Sequence, residues 1–189
     1  MGLAELKLAK QALDEAKKLI ADKQTANDLG IVVKIASKEL DAARTNPAAT
    51  PSIRDAFNMA ATLVPIANGF LNNGKLPLLQ LLKDKSKHEK MGETLKVAFE
   101  ANDPVVVGFV QNLIDNNELQ DAVIRLAARN PKLCQIERSQ DEQTYTVKLS
   151  MVGMSVSLPI EKEYNDKAKE IYDTLNQKKP PQPPKGPSI

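Results

Sequence analysis

His88 and Cys134 are the only histidine and the only cysteine in this chain of 189 residues. Any chemistry that needs an imidazole or a thiolate must use one of these two side chains, so a Ser-His-Asp or Cys-His arrangement includes them or does not exist. His88 stands in the lysine-rich stretch KDKSKHEK, beside Glu89, and reads as a solvated first-turn residue of a helix. Cys134 stands in the segment KLCQIE at the opening of a predicted strand, with no nearby cluster of positive charge to favour the thiolate, and reads as a small buried apolar residue. A single cysteine leaves no partner for an intrachain disulfide and excludes a multi-cysteine zinc site.

Other reactive groupings are equally sparse. Asp141 and Glu142 adjoin in a segment that reads as a turn between strands, where two exposed acids are simply hydrated. Eight glycines are scattered singly and give neither a phosphate-binding Walker loop nor a dinucleotide fingerprint. One arrangement stays open, a magnesium site built from carboxylates alone, because such sites have no tight spacing signature. The chain therefore reads as non-enzymatic, with no cofactor.

Charge points away from nucleic acid. Twenty-six basic and 24 acidic residues interleave to a net charge of +2, the pattern of a solvated surface. Helical patterns at 104–115 and 117–129 followed by a β-hairpin repeat the bare order of a winged helix, and a nucleic-acid-binding regulator is the alternative reading. Within 104–160, however, Arg125, Arg129, Lys132, Arg138 and Lys148 face Asp115, Glu118, Asp121, Glu137, Asp141 and Glu142. Five positive charges against six negative give no net attraction for phosphate, which dominates such affinity.

Charges at Glu5, Lys7 and Lys10 interrupt the start where a Sec-type signal needs an apolar run, and Leu6 occupies the position where a myristoylation motif carries Ser or Thr. Residues 56–74 are free of charge, but Asn58, Asn68, Asn72, Asn73 and Pro65 lie among them, so the segment reads as a buried helix and not a membrane span. The expected compartment is the cytoplasm, with delivery from it by a non-Sec route left open.

The positioning elements follow from periodicity. Leu6, Ala9, Leu13, Ala16 and Ile20 form one stripe of a helix over 3–22, and Leu29, Val32, Val33, Ala36, Leu40 and Ala43 form another over 27–44. The short join predicts an antiparallel helical hairpin at 3–45. Thr50-Pro51 opens a third helix running to Asn72-Asn73-Gly74, with Pro65 expected to kink it. A short apolar helix at 76–83 contains an L-x-x-L-L arrangement of Leu78, Leu81 and Leu82, a groove-docking pattern that core helices also match. Ser86 and Glu89 have capping-box spacing, Asn102-Asp103-Pro104 caps the next helix, and Asn117 with Gln120 opens the last of the series.

The period then changes to two. Tyr145, Val147, Leu149 and Met151 alternate with polar residues, as do Met154, Val156, Leu158 and Ile160. A two-residue turn at Val152-Gly153 sets 151 opposite 154, 149 opposite 156, 147 opposite 158 and 145 opposite 160, which puts every apolar residue on one face. The segment 132–137 is a candidate third strand. From about Glu161 a closing helix turns Tyr164, Ala168, Ile171 and Leu175 inward.

The last twelve residues, KKPPQPPKGPSI, contain five prolines. Proline cannot continue a helix or donate to a sheet, so PPQPP favours polyproline II. Pro180, Pro183 and Lys185 match P-x-x-P-x-K, and Lys178, Pro181 and Pro184 match K-x-x-P-x-x-P, the two orientations of SH3-domain ligands. The expectation from sequence is thus a mostly helical α+β fold. Residues 1–177 form a single helical-rich domain: a helical hairpin at 3–45, helices over 50–130, a β-hairpin or small meander at 132–160 and a closing helix at 161–177. Residues 178–189 are a disordered proline-rich tail. The expected role is an adaptor or secreted-effector-like interaction module acting through its helical surface and its tail. An SH3-type domain or secretion machinery is the candidate partner, and homodimerisation through the N-terminal hairpin is open.

Overall fold

The computed structural model describes residues 2–151, 154–160 and 162–177. The fold is α+β and mostly helical, with helices α1 (Leu3–Ile20), α2 (Lys23–Arg44), α3 (Pro51–Asn73), α4 (Leu78–Lys83), α5 (Lys85–Glu100), α6 (Pro104–Ile114) and α7 (Asn117–Arg129). Strands β1 (Cys134–Arg138), β2 (Tyr145–Met151) and β3 (Met154–Pro159) follow, then a 3-10 turn at Lys162–Tyr164 and α8 (Asn165–Gln177).

Helix α2 is the hub and packs against α1, α3, α6 and α7. Its start departs from the sequence reading. Asp22 accepts from the Gln24 N–H at 3.4 Å and from the Thr25 hydroxyl at 2.7 Å, so the helix begins at Lys23 rather than near Asn27. An aspartate N-cap that close behind α1 is hidden to a reader of apolar periodicity, because Lys23, Gln24 and Thr25 carry no apolar signal. On α1 the expected stripe faces inward, but only Ala9 and Ala16 are buried.

Helix ends elsewhere sort the predicted caps. The Asp103 carboxylate accepts from the Val105 and Val106 N–H groups at 3.0 and 3.2 Å, as its place before Pro104 predicts. Gly74 ends α3 at φ 66°, the left-handed conformation that glycine adopts without a Cβ penalty. Thr50 holds the N-cap position of α3 with an extended backbone, yet its side chain makes no capping bond. The Ser86–Glu89 capping box does not form. Helix α5 starts at Lys85, directly after Asp84 ends α4, so Ser86 is already inside the helix. At α7 the cap is Asn116, whose amide oxygen accepts from the Leu119 N–H at 2.9 Å, one residue before the predicted Asn117.

The sheet is antiparallel in the order β1-β2-β3, and the register of β2 with β3 is the predicted one: Val147 opposite Leu158, Leu149 opposite Val156, Met151 opposite Met154. The turn residues 152 and 153 lie outside the described residues. Strand β1 is the third strand anticipated at 132–137, with Ile136 opposite Val147. Tyr145, Val147 and Ile160 are buried, which places the greasy side of the sheet on the helices.

Among the described residues, two apolar clusters fill the interior. One joins Leu29 and Ile35 of α2 to Leu119, Val123 and Leu126 of α7, the sheet, and Ala168 of α8. The other joins Leu40 and Ala43 of α2 to Ile53 and Phe57 of α3 and Val105 and Val106 of α6. Phe109 touches both, and its ring meets that of Phe57 edge-on with centroids 5.0 Å apart.

Candidate interaction surface

The residues that could carry chemistry are dispersed. Cys134 is fully buried, its Sγ 3.5 Å from the Val123 carbonyl oxygen, and burial pushes its thiol up to about 12. A thiol held neutral under a strand is a packing group, as the sequence suggested. His88 departs from the solvated reading. It is half-buried, and its Nδ1 is shielded from solvent without a hydrogen-bond partner among the described residues. Its place is on the inward stripe of α5 with Met91, Leu95 and Ala98, a geometry the misplaced capping box concealed.

Asp141 and Glu142 do sit in the turn between β1 and β2. Asp141 accepts from the Ser139 hydroxyl and from the Gln143 N–H at 3.1 Å, and these bonds, the hydroxyl first, hold its carboxyl below the usual range. Glu142 pairs with Arg138 at 3.5 Å. Arg138 in turn lies 4.7 Å from the centre of the Tyr172 ring, which meets Tyr145 edge-on at 6.2 Å, so the turn is tied to α8. Among the described residues, no three His, Cys, Asp or Glu side chains are grouped so as to hold a metal ion.

A polar cluster that the sequence did not reveal joins α2 to α7. Asp28, 3% exposed, accepts from Arg125 Nε and Nη2 at 3.1 and 2.9 Å and also pairs with Arg129. Arg129 reaches the Gln24 side chain as well, and Asn130 Nδ2 donates to the Thr25 hydroxyl at 2.8 Å. Hydrogen bonding to Asp28 raises the Arg125 pKa further. Two of the five basic side chains counted over 104–160 are thereby paired with a buried carboxylate while staying partly in solvent. Nothing local announces this arrangement, since the partners are about a hundred residues apart and Asp28 looks like any surface acid in a helix.

The surface itself offers shallow grooves and exposed apolar side chains. One groove of about 490 Å³ between α2 and the end of α3 is lined by Asn27, Gly30, Lys34, Asn68 and Asn72, with Glu118 at the start of α7. A second of about 290 Å³ lies farther along the same helices, near Asp41, Arg44 and Pro65, where Arg44 Nε and Asp41 pair at 3.0 Å. Leu81 of the L-x-x-L-L segment is buried while Leu79 is 63% exposed, so core packing takes the leucine that a docking helix would have to present. Helix α5 has no fully buried residue, and Val97 and Phe99 stand 53% and 37% exposed on it. Leu3 and Leu8 are exposed on α1.

The predicted partner-contacting residues Lys178, Pro180, Pro181, Pro183, Pro184 and Lys185 lie outside the described residues. No described helix is long and apolar enough to cross a membrane. Comparison with protein-family models, with curated proteins and with solved structures found no match.

Proposed function

We propose that this chain is a non-enzymatic protein-interaction module whose contact surface centres on α4 and α5, with the proline-rich C-terminal segment as a second point of attachment. The observation that carries the reading is the distribution of aromatic and large aliphatic side chains. In a chain with four phenylalanines and no tryptophan, Phe57 and Phe70 are sealed inside and Phe109 bridges the two clusters, yet Phe99 keeps about a third of its surface in water, and Val97 on α5 and Leu79 on α4 are exposed as well. Aromatic and aliphatic groups left in solvent on a helix with no fully buried residue are the material from which the apolar centre of a contact is built. The tail adds short polyproline ligand motifs flanked by lysine, which aromatic grooves with an acidic pocket accept.

The test is affinity capture with three forms of the protein. Leu79→Asp with Val97→Asp should retain the circular dichroism and unfolding midpoint of the parent while losing its specific partner, and truncation after residue 177 should leave the fold intact while losing any partner that reads the tail. A partner list unchanged by both alterations overturns the proposal. A mobility shift with nucleic acid at micromolar protein, weakening steeply with salt, would favour the regulator instead.

A further inference from the structure

We propose that β3 is the docking site for a second copy of this chain, the two β3 strands pairing antiparallel about a two-fold axis at Val156. The sheet leaves a particular set of backbone groups open along β3. The Ile160 N–H donates to the Tyr145 carbonyl at 2.9 Å, and the Ser150 and Ser139 N–H groups donate to the Leu133 and Thr144 carbonyls at 2.8 and 2.9 Å. In an antiparallel ladder, hydrogen-bonded and non-hydrogen-bonded pairs alternate. With Tyr145 opposite residue 160, positions 154, 156 and 158 of β3 therefore bond to β2, whereas 155 and 157 direct their N–H and C=O groups away from the sheet.

The two edges of the sheet differ. Strand β1 carries Glu137 and Arg138 and has α7 and α8 against it, while β3, which carries no charge, has α6 alongside it. Strand β3 ends the sheet on the other side, Ser157 is exposed, and no charged residue occurs anywhere in 149–160. Natural edge strands are ordinarily blunted by lysine or proline within them, and β3 has only Pro159, at its last position. Proline lacks an N–H, so Pro159 cannot exchange a pair of bonds and disfavours registers that use it. A register with 155 opposite 157 of the second copy uses every outward N–H of β3 and makes four backbone hydrogen bonds.

This register is self-complementary, which is why a second copy is the occupant. The same pair of residues serves both chains, no like charges meet, and the contact closes at two chains and a six-stranded sheet. Pairing β3 with the charged β1 edge of another copy would be head-to-tail and open-ended.

Sedimentation equilibrium at rising protein concentration, with hydrogen exchange on the same samples, tests this. The expected result is a mass that doubles from 20.7 kDa as the Ser155 and Ser157 amides become protected together. Ser157→Pro removes only an outward N–H, and Ser155→Lys with Ser157→Lys sets lysines opposite one another across the axis; at least one should keep the parent's circular dichroism, and every variant that does should stay monomeric. A parent that remains at the monomer mass, a dimer that persists in a folded variant, or a dimer whose 155 and 157 amides exchange freely would each overturn the proposal. So would loss of the dimer on Leu3→Asp with Leu8→Asp, which would place the contact on α1.

Discussion

Asp28 and Arg125 meet across 97 residues of sequence, the carboxylate of α2 receiving both Nε and Nη2 of the α7 guanidinium at 3.1 and 2.9 Å. A fork of two bonds fixes orientation as well as distance, and Arg129 supplies a further bond to the other carboxylate oxygen. The cluster thereby ties α2 to the end of α7 that leads into β1.

Removal of Asp28 should be costly because it strands two guanidinium groups. Asp28→Ala is expected to lower stability by about 2–3 kcal/mol in urea unfolding, less than the ~3–5 kcal/mol of a fully buried pair. The discount follows from Arg125, whose side chain is 49% exposed and regains water once released. Arg44→Ala, which breaks the exposed pair with Asp41, should cost about 0.5 kcal/mol or less.

Two caps that look alike in sequence should separate in experiment. Asp103→Ala removes bonds to the Val105 and Val106 N–H groups and should cost about 1 kcal/mol. Thr50→Ala removes no capping bond and should change stability by only a few tenths of a kcal/mol. Equal losses in thermal or urea unfolding would contradict the geometry at Thr50.

Cys134 should resist alkylation in the native protein and react only through opening, so that denaturant accelerates modification by iodoacetamide at pH 8. The sign of the pH effect follows from the raised native value. Below the ordinary thiol pKa of about 8.5 both states hold the proton and folding is indifferent to it. Above that the unfolded thiol ionises while the buried one, at about 12, does not, so stability should decline as pH rises across this window. Cys134→Ala should flatten that part of the profile.

Two glycines on helices should respond in opposite directions to alanine. Gly74 sits at φ 66°, and Gly74→Ala should destabilise by about 1 kcal/mol. Gly92 lies within α5 with open space where a Cβ would stand, and Gly92→Ala should stabilise by about 0.5–1 kcal/mol. Unfolding midpoints of the two variants on either side of the parent are the expected outcome.

What the residues determined by themselves is whatever depends on neighbours in sequence. The alternation of Tyr145, Val147 and Leu149 against residues 154–160 was enough to set the strand register, because a slip by one residue would turn every apolar group to water. The helical stripes, the Asp103 cap and the Gly74 stop were legible for the same reason: each rests on contacts within one turn of chain. Tertiary structure decided the rest. Whether Thr50 caps, whether Ser86 starts a helix or lies inside one, and whether His88 faces solvent depend on where the adjoining elements pack. The buried Asp28 with Arg125 and Arg129 shows the limit most plainly. Its partners come together only after α7 has docked on α2, and a carboxylate destined for the interior has the same local neighbours as one that stays in water.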